Sequence, residues 1–402
     1  SCLVGSEMCI RDSDKPMRDV VEIGIGREAV RTYELEDISL VPSRPLCSHR
    51  EVSLDWKMDA YQFDLPFVAD GSDALASPDF VIEMGKNGGL GVFNAEGLWS
   101  RWENAEEKIA EVRKAALESG DVVTPVTLLQ ELSREPIKKE LLTAAVKKIH
   151  DSGVVTAVRV SPQHARELGP LLVEAGIDIL FVQGTMVSAQ YVWEGEELPL
   201  DIKELVRGTD IPVVVGGCVN YHTAMHLMRT GAAGIVVGYG ATEGITTTGE
   251  VLGINVAMAT AIADAAAARR DYMEESGGRY VHVIANGDLN SSGDIAKAIA
   301  CGADAVMAGP LLAQAQEAAG KGVYWPIVAG HPANPRGAVV PVMTEYEADD
   351  EDYDGPTLEV ILHGPSSEPF GTCDLAGGLR RSMAKCGYTS LKAFQRVELT
   401  VH

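Results

Sequence analysis

The stretch YVHVIANGDLNSSGDIAKAIACGADAVMAGP, residues 280–310, decides the fold. Val281, Val283 and Ile284 form a short β-branched run, and Ala305, Val306 and Met307 form a second. Between them Ile295, Ala296, Ala298 and Ile299 recur at helical spacing, with Ser291 or Ser292 available as N-cap. Two strands joined through a helix run parallel, so the stretch reads as a βαβ unit. Its turns, Asn286-Gly287-Asp288 and Gly309, then lie at one end beside a helix N-terminus. Backbone N–H groups and a positive helix end suit a phosphate there. The same glycines serve equally well to turn the chain between packed strands.

Outward from this unit the pattern repeats. Strand-like runs PFVAD (66–70), GLGVFN (89–94), TAVRVS (156–161), ILFVQG (179–184), PVVVGG (212–217) and GIVVGY (234–239) precede VHVIANG (281–287) and AVMAGP (305–310). Helical patterns cover 77–86, 105–118, 138–152, 164–175, 200–207, 222–230, 256–275 and 293–300. AGIDIL (175–180), GAAGIVV (231–237) and GADAV (302–306) repeat one device, a helix ending near Gly before an apolar strand. Strands apolar on both faces and alternating with helices imply a parallel sheet. Eight such units predict an α/β fold of the closed (β/α)8 TIM-barrel type. An early G-x-G-x-x-G, the mark of an open dinucleotide-binding sheet, is missing. YELEDISLVPSR (33–44) predicts an extended segment ahead of the barrel, and residues 357–402 predict an ordered tail.

Length and charge narrow the partners. The 402 residues permit one large α/β domain or two smaller ones, and the barrel reading takes 17–402 as one. A formal charge of −24 without a Lys/Arg cluster argues against nucleic acid or an anionic membrane. No apolar run approaches the roughly 20 residues that span a bilayer. Seven cysteines, odd in number and without C-x-x-C spacing, fit neither a disulfide framework nor a zinc site, and predict a reducing cytoplasm. Residues 1–16 stand apart. LVGSEMCIRDS (3–13) resembles the translated end of a sequencing adapter, the alternative being a native disordered tail. EYEADDEDYD (345–354) reads as a solvated acidic loop without Ca²⁺-loop spacing.

In a (β/α)8 barrel the ligand sits at the C-terminal ends of the strands. That directs attention to Asp70, Asn94, Ser161, Gln183-Gly184, Gly217-Cys218, the loop GYGATEGITTTGEVLGI (238–254), Asn286-Gly287 and Gly309. The 238–254 loop carries no Lys or Arg, so a phosphate would be held there by N–H and O–H groups. Cys218 is a thiol at the expected mouth, but no basic residue flanks it, and it also reads as an inert core residue. His222 and His226 share a helix face at i, i+4. Without a nearby Glu or Cys they read as surface rather than metal ligands, and no metal centre is expected.

VVGYGATEGITTTG, VIANGDLNSSGDIAKAIACGADAVMAGP and GGLRRSMAKCGY, with YELEDISLVPSR near the start, resemble successive motifs of the IMP dehydrogenase/GMP reductase family. The likeness runs over essentially 20–399 and looks closest to the actinobacterial IMP dehydrogenase-related branch. No CBS-pair module is expected after the second strand, because helix-like sequence continues directly from Gly97. The resemblance implies an oxidoreductase acting on a purine nucleotide monophosphate, IMP or GMP, with NAD or NADP. It also implies a possible monovalent cation in the Gly240 loop and a homotetramer or homo-octamer. In the family a loop cysteine attacks C2 of the purine as hydride passes, a step suited to a thiolate that adds and leaves reversibly.

Carried over position by position, the resemblance places Thr246 where that cysteine stands, and Thr248 on the family's second threonine. Asn286 replaces the ribose-binding aspartate, Asp288 the second glycine of the phosphate turn, Pro310 a serine and Cys218 an asparagine. Arg336 is the candidate for the flap arginine. The expected site is therefore Thr246, Thr248 and Cys218 for catalysis, with Gly240, Gly244, Asn286, Gly287 and Gly309 for substrate and phosphate, and Gln183 and Gly184 for the cofactor. Without the cysteine, a catalytically weak or silent purine-nucleotide-binding paralogue is the alternative.

Overall fold

A computed structural model describes residues 19–189, 200–240, 244–342 and 353–402. The expected head (1–16) and most of the acidic run (345–354) lie outside them. Eight parallel strands close into a barrel. They are β1 (Phe67–Ala69), β2 (Leu90–Asn94), β3 (Ala157–Val160), β4 (Ile179–Gln183), β5 (Val213–Cys218), β6 (Gly234–Val237), β7 (His282–Ala285) and β8 (Ala305–Ala308). Closure is between β8 and β1, with Val306 opposite Phe67 and Ala308 opposite Ala69. Seven strands fall inside the runs read from the sequence and β5 passes its run by one residue, Cys218, because a strand covered on both faces leaves an unbroken apolar signal.

The surrounding helices are α1 (Pro78–Lys86), α2 (Lys139–Asp151), α3 (Ala165–Glu174), α4 (Ile202–Arg207), α5 (Tyr221–Met228), α6 (Met258–Glu275), α7 (Ser292–Cys301) and α8 (Leu375–Lys385). Side-chain caps set the starts of α1, α4, α5, α7 and α8. Ser77 accepts from Phe80 N–H at 3.0 Å, and Ser291 accepts from Asp294 N–H at 3.2 Å while its hydroxyl bonds the Asp294 carboxylate at 2.8 Å. The repeated Gly-loop-strand device also acquires a purpose. Asp178 and Asp304, each just ahead of a strand, accept a backbone N–H of the neighbouring strand region, from Thr156 at 2.8 Å and Val283 at 2.9 Å.

Both ends of the barrel are covered by further segments, among which the hairpin at 56–63 and the helix at 123–132 were not read from local periodicity. At the N-terminal end a hairpin, Trp56–Met58 with Tyr61–Phe63, buries Trp56, Met58 and Phe63, and the Trp56 ring meets His282 at the start of β7. The expected extended segment contains the strand Ile38–Val41, which pairs antiparallel with Glu398–Val401 of the tail. Between β2 and β3 lie two further helices, Ala105–Glu118 and Val123–Leu132, ahead of α2. With the stretch after β8 they form a second apolar core of Leu98, Ile109, Leu129, Tyr324 and Trp325, which walls one side of the barrel mouth.

Candidate active site

β3 is apolar apart from Arg159, whose side chain is 7% exposed. A guanidinium taken from water needs charge and hydrogen-bond partners. It donates to the Gln183 carbonyl at 2.7 Å and to Asn94 Oδ1 at 3.3 Å, and lies 3.8 Å from Glu96 Oε1. Glu96 also accepts from the Ser161 N–H, and its Oε2 is 3.0 Å from His164 Nδ1. Burial alone would raise the Glu96 pKa. The Arg159 charge, the His164 hydrogen bond and the Ser161 N–H outweigh burial and hold the carboxyl at about 2. The same hydrogen bond, donated by His164 to Glu96, raises the His164 pKa. Asp70 and Asp73 respond oppositely: burial pushes each up to about 6, despite N–H donors from Ser72 and Leu98 respectively.

Around this floor the strand ends converge. Gln183 and Gly184 from β4, Gly240 after β6 and Asn286 after β7 line one cavity together with Arg159 and Asp70. It adjoins a cleft of about 430 Å³ that shares Arg159, Gly184 and Thr185 and is otherwise walled by Arg101, Trp325 and Arg336. The stretch after β8 closes over the mouth. Ala338 N–H donates to the Ile245 carbonyl at 2.8 Å, Thr247 N–H to the Arg336 carbonyl at 3.1 Å, and Thr246 bridges to Gly337. Arg336 thereby reaches Thr185 Oγ1 at 3.4 Å. Gln183 Oε1 is buried and has no hydrogen-bond partner among the described residues.

The remaining expected residues separate. Thr246 lies behind Gly240, where a β-carbon on that glycine would come within 3.3 Å of its hydroxyl. Thr246 Oγ1 and Thr248 Oγ1 are both buried without a hydrogen-bond partner among the described residues, so neither hydroxyl has a base beside it. Gly287 and Gly309 flank a small hollow next to the main cavity. Gly244 instead faces an outer cleft with Pro310 and Val340. Part of its loop, residues 241–243, lies outside the described residues, and with it the region proposed for a cation. His222 and His226 are exposed on α5.

Cys218 requires a correction. It ends β5 with its side chain in the barrel wall, fully buried, and its thiol donates to the Val236 carbonyl at 3.4 Å. Burial pushes that thiol up to about 12, so it supplies no thiolate at neutral pH. We expect Cys218→Ser to leave ligand affinity unchanged in calorimetry and to cost about 1 kcal/mol in a urea melt, because a hydroxyl keeps the bond to Val236 in apolar surroundings. Sequence reading passed over Arg159, Glu96, His164 and Tyr324. An arginine inside TAVRVS was a usable signal; the other three carry none until the chain folds.

Comparison with known proteins places these features in context. The model of the IMP dehydrogenase / GMP reductase domain matches residues 32–401. An uncharacterised oxidoreductase of Mycolicibacterium smegmatis is 56% identical over 382 residues, covering 95% of this chain and 100% of the relative. One from Mycobacterium leprae is 55% identical over the same length and shares. The inosine-5'-monophosphate dehydrogenase of Methanocaldococcus jannaschii is 32% identical over 257 residues, 58% of this chain and 47% of that protein. The crystal structure of an IMP dehydrogenase/GMP reductase-like protein from Corynebacterium glutamicum superposes with a TM-score of 0.88 at 54% identity, covering 96% of this chain and 98% of that one.

Proposed function

We propose, from the premise that this chain belongs to the IMP dehydrogenase/GMP reductase family, that it is an oxidoreductase moving hydride between a nicotinamide cofactor and a purine ring held at the barrel mouth. IMP and GMP, the family's nucleotides, are the first candidates to carry that ring. One observation carries the reading: Gln183, Gly184, Gly240 and Asn286, distant in sequence, line a single cavity that opens into the larger cleft beside it. The cleft, at about 430 Å³, has room for a ring system, whereas the cavity beside it, about 40 Å³, admits only an edge or substituent of one.

The residues present fit a nicotinamide. Gln183 Oε1 is a buried acceptor lacking a donor, which a carboxamide N–H would satisfy, and Trp325 and Val328 offer apolar walls. When bound, the cofactor supplies the hydride acceptor or donor. The chain's own part is to hold and orient. Arg159 is fixed by Asn94, Gln183 and Glu96, and the stretch carrying Arg336 closes over the mouth and limits water there. Thr246 stands where the family uses a thiol, and among the described residues no base is hydrogen-bonded to it. A covalent adduct to the ring therefore has no activated side-chain nucleophile among the described residues, and oxidation at a ring carbon would need water, losing one proton to solvent, to add at that carbon before its hydride can leave.

The Thr246 environment also favours the second reading, a purine-nucleotide-binding paralogue without turnover. Nicotinamide absorbance, followed in both directions with IMP and GMP, separates the two. We expect turnover that Gln183→Ala abolishes and Cys218→Ser leaves intact. Silence in both directions, together with calorimetric binding of either nucleotide, would establish the binding paralogue instead.

A further inference from the structure

Away from the mouth, just ahead of β7 and β8, the tail lays a lysine on a charged cluster. Lys392 belongs to the short helix Leu391–Phe394, which starts at Ser390, whose hydroxyl accepts from Ala393 N–H at 3.4 Å. Its Nζ sits 4.0 Å from the centroid of the Tyr280 ring and donates to the Tyr280 hydroxyl. Arg269 lies against the same ring, its guanidinium carbon 4.9 Å from the centroid. The Lys392 side chain is nevertheless 60% exposed, so a reagent in solution can approach it.

One carboxylate serves these two cations, and it is already taken. Asp304 Oδ2 accepts from Arg269 Nη1 at 2.6 Å and from Val283 N–H at 2.9 Å. Its Oδ1 accepts from the Tyr280 hydroxyl at 2.6 Å and from Gln395 Nε2 at 3.2 Å. Four donors fill the acceptor positions of a carboxylate. Lys392 Nζ is left 4.0 Å from Oδ1, too far for a hydrogen bond. Its own acceptor, the Tyr280 hydroxyl, is uncharged, because burial and then Asp304 push that phenol well up. His282, whose ring lies 5.1 Å from that of Tyr280, has its pKa lowered, chiefly by burial, and adds no charge at neutral pH. Arg396, four residues on, adds another positive charge. Burial first, with Arg269 and Arg396 behind it, brings Lys392 down to about 8 against the opposing pull of Asp304.

We infer that Lys392 is a modification site, the lysine of this fold that acyl phosphates acylate first. The unprotonated amine nitrogen adds to the acyl carbon, the carbon–oxygen bond to phosphate breaks, and phosphate leaves with that electron pair. The surplus proton on nitrogen passes to solvent, and a neutral amide replaces the amine. Arg396, exposed beside it, favours an anionic donor of this kind. Acylation deletes a cation where the tail packs on the barrel and leaves the Arg269–Asp304 pair in place. None of this depends on what the mouth binds.

Acetyl phosphate is the probe, given to the full chain over a series of pH values, with each site followed by peptide mass spectrometry. At about pH 7.5 an amine with the Lys392 value is roughly one-quarter unprotonated, against about a thousandth for an ordinary lysine. A weaker base is a weaker nucleophile, which takes back roughly tenfold of that gain. Lys392 is therefore expected to be acetylated about tenfold faster than the exposed Lys57 and Lys203. Its rate should level off above about pH 8.5 while theirs go on rising. In guanidinium chloride the three lysines should react alike, because the cluster exists only in the folded chain. Equal rates in the folded chain would overturn the inference. So would an advantage that survives unfolding, since it would belong to the flanking sequence and not to the cluster. No substitution is involved, so the folding of a variant does not enter.

Discussion

Glu96→Gln is expected to destabilise the folded chain by about 3 kcal/mol at neutral pH and by progressively less as the solution is acidified. The Glu96 carboxyl is only 13% exposed and faces Arg159, 7% exposed, across 3.8 Å. Its pKa falls from 4.5 to about 2, burial opposing the shift while Arg159, His164 and Ser161 together drive it. Because the folded-state value is depressed, the stabilisation is fully present above the unfolded value of 4.5 and is lost as pH falls towards about 2. At roughly 1.4 kcal/mol per unit, the difference amounts to about 3 kcal/mol. Glutamine keeps the shape and one acceptor but leaves the Arg159 charge buried without its counter-charge. Urea melts of both proteins from neutral pH to about pH 3 should converge at the acid end. A gap that stays constant with pH would show that packing, not charge, holds this corner. A second readout follows from His164, whose raised pKa depends first on its bond to Glu96 and should drop in the variant.

The other large effect lies at the opposite end of the barrel. Arg269 on α6 meets Asp304 at 2.6 Å, with side-chain exposures of 6% and 10%. Asp304 also accepts from the Tyr280 hydroxyl at 2.6 Å and the Val283 N–H at 2.9 Å, and Arg269 reaches the Gly302 carbonyl at 3.2 Å. Arg269→Met removes one half of this pair and leaves a carboxylate buried. The expected loss is about 3–5 kcal/mol, the usual range for a broken buried ion pair. Asp304 precedes β8, far from the mouth, so ligand affinity in the surviving folded fraction should be unchanged. The double variant Arg269→Met/Asp304→Asn should recover part of the loss, because the remaining amide still accepts from Tyr280 or Val283. If calorimetry shows weakened ligand binding in Arg269→Met, the two ends of the barrel are coupled and this separation is wrong. Glu96 and Arg269 thus form a contrasting pair, similar in stability cost but different in their expected effect on the site.

The barrel was legible because its signals are local. Eight apolar runs, the first seven each with a helical pattern after it and several with a Gly-ended helix before them, state strand order and direction without any long-range contact. From that follows the position of the mouth, and hence the meeting of Gln183, Gly184, Gly240 and Asn286. What local pattern could not tell was which side chains enter the mouth and which stay in the wall. Cys218 and Gly217 are neighbours at the end of β5, yet the thiol turns to Val236 and is lost to chemistry. Tyr324, in a stretch with no strong periodicity, comes back over β1 to hold Asp70 against Gly309.

The sequence by itself therefore determined the closed parallel barrel, the end at which a ligand is expected and the absence of a cysteine at position 246. Only the tertiary structure decided that Arg159 is paired with Glu96, that Thr246 has no hydrogen-bonded base among the described residues and that the glycine-lined hollow is small and carboxylate-walled. The physical reason is one of range. Strand and helix arise from periodicities of two and 3.6 residues that any short window contains. Burial, charge pairing and cavity size depend on residues such as Asp70 and Tyr324, 254 positions apart, and exist only once the barrel has closed.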